Sequence, residues 1–151
     1  WSKRATAEAL AEATGTPLQD TALPQAEHSY VSGLFDALED NLREEQLPHI
    51  DESFRQHRMQ MTLRLVAHMR NVAEIGAEIG ALEIADMHSL LGHRPKSVKE
   101  GHRSMEALVR SADADMDDAL IQYFYRHAKR EVALMRGGMG RAEHARTSPI
   151  N

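Results

Sequence analysis

His57 is the residue of this sequence best placed to move a proton. It follows Phe54 by three positions and lies one turn inside a helix that restarts after Pro48. Glu44, Glu45 and Asp51 stand across that proline corner, and Arg58 is the next residue. Carboxylates near an imidazole raise its pKa, which makes it a stronger general base. With Glu45 or Asp51 orienting His57, the corner describes a small enzyme. The same residues equally describe a histidine tying two helices together, with a charged rim turned toward a protein partner. Because the rest of the chain lacks further reaction machinery, the expected site is a binding surface of Glu44, Glu45, Asp51, His57 and Arg58, and no catalytic residue is assigned.

The chain has nine histidines. A helical zinc pair needs histidines three or four residues apart with a third ligand nearby, and His88/His93, His49/His57 and His57/His68 lack that spacing. A di-iron bundle needs two Glu-x-x-His units, and there are none. The acidic run at Asp113, Asp115 and Asp117 puts Asp118 and Phe124 where a calcium loop needs glycine and a bidentate glutamate. It reads as helix capping by Asp115. No metal site and no cofactor are expected. His68 falls on an apolar stripe and is expected to bond a backbone carbonyl or a carboxylate. Phosphate-binding glycine loops and a nucleophile elbow are absent, and "MRGGMG" follows a helix instead of opening one.

Bulk properties narrow the class. A chain of 151 residues can bury one core and reads as one ordinary domain. No cysteine is present, so disulfides and thiolate chemistry are excluded. The formal charge is −5 with dispersed Lys and Arg, against nucleic-acid binding. No apolar run approaches the ~20 residues of a membrane span, and no signal peptide is visible, which gives a cytoplasmic reading. Met59, Met61, Met69, Met87 and Met105 read as core, with a partner-facing surface as the other use of such adaptable side chains.

The elements that position these residues are helical. Ala, Leu, Met, Glu and Arg dominate, and no alternating strand pattern or Asn-Gly hairpin signal is seen. A short alanine-rich helix over 2–13, burying little, precedes a linker with two prolines. A second helix starts at Tyr30, with Val31, Leu34, Phe35, Leu38 and Leu42 on one face, and ends near Gln46 before Pro48. A long central helix over 52–78 follows, N-capped by Asp51, with Phe54, Met61, Leu65, Val72 and Ile75 inward. Gly80 is expected to stop it, and a further helix covers 81–91. Ser97 and Glu100 fit a capping box for the next. The last helix, 116–135, turns Leu120, Ile121, Phe124, Tyr125, Ala128, Val132 and Met135 inward, with Arg126, Lys129 and Arg130 opposing its negative end. The expectation is an all-α, single compact bundle of about five helices over 29–136, with 1–28 as helix and linker and 137–151 as a flexible tail.

The run "LFDALEDNLREEQLPHI", then "FRQH", then "EIADMHSLLG" resembles a family of small bacterial helical proteins catalogued as a domain of unknown function. Leu42, Glu45, Leu47 and Pro48 match its acidic corner, and His57, Leu90, Leu91 and Gly92 match further positions. Asp115, Asp117 and Asp118 resemble a later acidic motif, so the likeness covers roughly residues 34–135. Met61-Thr62-Leu63 stands where that family tends to carry Ala-Ala-Asn, so an asparagine-dependent contact would lack its residue here. Members sit beside, or are fused to, kinases resembling aminoglycoside phosphotransferases, with acyl-CoA dehydrogenases nearby. The resemblance implies a non-catalytic accessory subunit with a kinase or acyl-CoA dehydrogenase type partner, acting on small hydroxylated or acyl-CoA substrates. The rival readings are the His57 enzyme and a self-associating structural bundle forming a homo-oligomer.

Overall fold

Helix-favouring residues at three- and four-residue apolar spacing fold as helices along most of the chain, giving the all-α class. The computed structural model describes residues 3–138 and holds five α-helices: α1 (Lys3–Thr14), α2 (Tyr30–Asp40), α3 (Ser53–Leu91), α4 (Val98–Ser111) and α5 (Asp117–Leu134). No strand occurs among the described residues. Beyond Gly138, the tail expected over 137–151 lies outside the described residues, as does Ser2 of the first expected helix. Within the described chain, contacts separate two units: residues 3–23 with 78–131, and residues 24–77 with 132–138.

The first unit is built on Met87, Met105, Leu120 and Tyr123, all buried, with Met87 wholly excluded from solvent. Gly101 allows α4 to come this close to α3. A Cβ there would lie 2.5 Å from the Met87 sulfur and 3.2 Å from Pro95. Ser97 caps α4 by accepting from the Glu100 amide at 3.2 Å. The expected reciprocal bond is displaced by one residue, because the Glu100 carboxylate accepts from the Lys96 amide at 2.8 Å. In α1, the small side chains Ala5, Ala7 and Ala11 are buried. Lys3 pairs with Glu131 at 2.7 Å. The first residues of the expected linker are strapped to α5: the Thr16 hydroxyl donates to Asp118, and the Gln122 amide holds both N–H and C=O of Gln19 at 2.8 and 3.0 Å.

Asp115 does not cap the last helix. It sits in a 3-10 turn, Ala114–Met116, and α5 opens on Asp117 and Asp118, whose charges face the positive helix end. Phe124 on α5 and Met135, just past its end, are exposed instead of inward, while Tyr123 and Arg130 are buried. The three basic residues do not simply face the helix end. Arg126 pairs with Asp86 at 3.2 Å, Arg130 binds Glu83 and Asp86, and Lys129 pairs with Asp20.

In the second unit, α2 opens on a reciprocal serine cap. The Ser32 amide donates to the Ser29 hydroxyl at 3.2 Å and the Ser29 amide to that of Ser32 at 3.1 Å. After Asp40 the chain continues as a π-helical stretch, Asn41–Gln46, and Pro48 enters a 3-10 turn, Leu47–His49. Arg70 of α3 reaches Asp36 and, at 3.5 Å, Glu39 of α2. His68 bonds a backbone carbonyl, as its position on the stripe predicts: its Nδ1 lies 2.8 Å from the Leu134 oxygen. Asn71 donates to the carbonyls of Leu134 and Arg136 at 3.1 and 2.8 Å. These bonds satisfy acceptors that a helix end leaves without partners.

Two expectations about the central helix are corrected. Gly80 does not stop it, and α3 runs unbroken for 39 residues to Gly92, the glycine that adopts φ +72°. Gly80 is absent from the positive-φ set, and the apolar pattern on both sides of it outweighs its modest helix cost. The helix also begins at Ser53, two residues beyond the expected cap at Asp51. The second correction concerns burial. Phe54, Met61, Leu65 and Val72 do not point inward; they are 62%, 49%, 56% and 46% exposed, and only Ile75 of the expected stripe is buried. Val31, Leu34 and Leu38 of α2 are likewise exposed. Arg70 draws the Asp36 and Glu39 side of α2 onto α3, which leaves the leucine side uncovered.

Since Gly80 is a mid-helix glycine with open space around it, a Cβ meets only Val98 at 3.9 Å. Gly80→Ala is expected to stabilise the fold by about 0.5–1 kcal/mol in urea unfolding. Destabilisation would place a left-handed stop at this position.

Candidate functional site

The first unit concentrates ionisable groups where the helical period demands core residues. On α3, Glu83 lies four residues from Ile79 and four from Met87, both buried, and is itself 4% exposed. On α5, Tyr123, His127 and Arg130 recur at four and three residues and share one face. On α4, His102 follows Gly101, which packs against Met87 of α3 with no room for a side chain.

These side chains converge on one carboxylate. Arg130 donates to Glu83 Oε1 at 2.9 Å and to Asp86 at 2.6 Å. The other oxygen, Oε2, accepts from the Tyr123 hydroxyl at 3.3 Å. It also lies 3.1 Å from His127 Nδ1 and 3.8 Å from His102 Nε2. His127 Nδ1 is shielded from solvent, yet its approach to the carboxylate makes no well-formed hydrogen bond. Its other nitrogen, Nε2, stands 3.4 Å from Glu131, one turn on, which Lys3 holds in place. The rings of His102 and His127 meet edge to face at 5.2 Å.

The electrostatics follow from burial and pairing. Burial alone pushes the Glu83 carboxyl up, but His127 and Arg130 outweigh it and hold the group at about 2. Burial works against the Arg130 charge too, and the two carboxylates more than compensate, raising its pKa. Burial, then the Glu83 charge, raises the Tyr123 phenol well above its usual value. At neutral pH the cluster therefore presents a fixed anion, a neutral hydroxyl donor and a permanent cation. His102, Tyr123 and His127 also line an open pocket of about 370 Å³, together with Met105, Val109 and Phe124. Such a set can ligate a cation or orient an imidazole toward a ligand in the pocket.

The residues expected to form the site lie elsewhere. Glu44 and Glu45 fall in the π-helical stretch, Asp51 before α3, and His57 and Arg58 in its first turns. All five are exposed, and none of their side chains makes an ion pair or hydrogen bond among the described residues. The cluster around Glu83 was missed because its members come from three helices, so no spacing within one segment reveals it. One signal was available: Glu83 and Arg130 occupy core positions of amphipathic helices, where a charge survives only if paired. The second unit has a cavity of about 390 Å³ beside Arg43, Arg64 and Arg70, where Arg70 is already committed to carboxylates.

No protein-family model, curated protein or solved structure matches the chain.

Because the Glu83 pKa is depressed in the fold from 4.5 to about 2, its contribution is complete above pH 4.5 and is lost as the pH falls through about 2. The loss is on the order of 3 kcal/mol. Urea unfolding across this window is expected to show stability falling toward low pH, and Glu83→Gln is expected to remove that component.

Proposed function

We propose that this chain is a non-catalytic accessory subunit that binds and stabilises a phosphotransferase-type enzyme acting on small hydroxylated or hydroxyacyl-CoA substrates. The observation carrying the docking role is the row of exposed apolar side chains in the second unit: Leu34 and Leu38 on α2, and Met61, Leu65, Met69 and Val72 on α3. Contiguous apolar exposure at helical spacing marks an interaction surface, since a monomer gains nothing by leaving it in water. The methionines let such a face adapt to its partner. Glu44, Glu45, Asp51, His57 and Arg58, all exposed, supply a polar rim around the Pro48 corner. The class of partner rests on the resemblance of residues 34–135 to the family found beside phosphotransferase-like kinases.

Affinity purification from the native lysate tests both parts. The tagged chain is expected to retain a phosphotransferase-type kinase, identified by mass spectrometry. Leu65→Glu is expected to weaken that retention at least tenfold, a loss of ~1.4 kcal/mol or more, while Tm holds within about 2 °C. Recovery of no kinase, with the pure chain sedimenting as a stable oligomer through the same face, would replace this reading with self-association.

A further inference from the structure

We propose that Glu83, His102 and His127 form a binding site for a divalent transition-metal ion of the zinc class. Each offers one ligand atom, and the three atoms lie within 4.8 Å of one another. Tetrahedral zinc with bonds of ~2.0–2.2 Å places its ligand atoms ~3.3–3.6 Å apart. The Glu83 Oε2 distances of 3.1 Å to His127 Nδ1 and 3.8 Å to His102 Nε2 bracket that spacing. The third separation, between the two imidazoles, is within 4.8 Å, so an ion between them draws His102, the exposed ligand, inward.

Three further features point the same way. His127 Nδ1 is shielded from solvent and stands 3.1 Å from Glu83 Oε2, so two of the ligand atoms already face one another. Its Nε2 faces the Glu131 carboxylate at 3.4 Å, the outer partner that a metal-bound histidine uses to fix its tautomer and raise its basicity. Arg130 occupies Glu83 Oε1 at 2.9 Å, which fixes the carboxylate and leaves Oε2 turned to the imidazoles. The ligands come from α3, α4 and α5, so an ion there would add α4 to the polar links that already join α3 to α5 through Glu83, Asp86 and Arg130. Imidazole nitrogen with one carboxylate favours zinc-class ions over magnesium or calcium, which prefer oxygen. His102 is half-exposed at the pocket mouth, and a fourth position on that side is left for water or a small anion.

The test uses the full chain after exhaustive dialysis against a chelator. Zinc titrated by calorimetry is expected to bind with one-to-one stoichiometry, and at a hundredfold excess over Kd to raise Tm by about 5–10 °C. Cobalt(II) in place of zinc is expected to give the visible absorption of a four-coordinate nitrogen and oxygen site. His102→Ala removes an exposed ligand that makes no hydrogen bond among the described residues, so the metal-free Tm is expected to stay within about 2 °C while the zinc shift is lost. His88→Ala, at an exposed histidine outside the cluster, is expected to leave binding unchanged. Absence of one-to-one binding tighter than millimolar, or a zinc shift that persists in His102→Ala, would overturn the assignment.

Discussion

The first unit depends on making one buried carboxylate tolerable. Glu83 sits among Ile79, Met87 and Tyr123, where an unpaired charge would cost several kcal/mol. Arg130, equally buried, is the group that makes its ionisation affordable, and Asp86 balances the second guanidinium nitrogen. The pairing fixes the rotation of α5 about its axis. Once Arg130 faces Glu83, Tyr123 and His127 must face it too, and Phe124 is turned outward. The carboxylate thus decides which residues of α5 become core.

In the second unit a different ion pair has the opposite effect. Arg70 holds the acidic side of α2, and the price is a leucine and methionine surface left in contact with water. About half of each of these side chains is exposed, and burying that half would be worth roughly 1 kcal/mol each. That forgone burial is the physical basis of the proposed docking role. The two units thus spend their charges differently, one to hold a polar cluster inside and the other to keep an apolar face outside.

The sequence made the helices legible and their burial less so. Tyr30, Pro48, Ser97 and Gly92 mark real boundaries, because caps and breakers act through a few neighbouring bonds. Gly80 misled, since glycine stops a helix only where the following pattern also ends, and here Leu82, Ile84 and Met87 continue it. The stripe from Phe54 to Val72 was read as inward because periodicity reports that one side is apolar, not what covers it. At the Pro48 corner, Glu44, Glu45, Asp51, His57 and Arg58 are exposed and their side chains make no ion pair or hydrogen bond among the described residues, so their grouping is one of sequence and not of bonded contacts. The Glu83 cluster required knowing that α3, α4 and α5 converge, which is tertiary information that no single helix carries.

A double-mutant cycle on Glu83→Gln and Arg130→Met, followed by urea unfolding of the metal-free chain, tests the central claim most directly. Each single change is predicted to cost ~3–5 kcal/mol by stranding its partner, with the double change costing far less than their sum and a coupling of about 2 kcal/mol or more. Additivity to within about 0.5 kcal/mol would mean the two charges are independently solvated, and the account of this unit would be wrong.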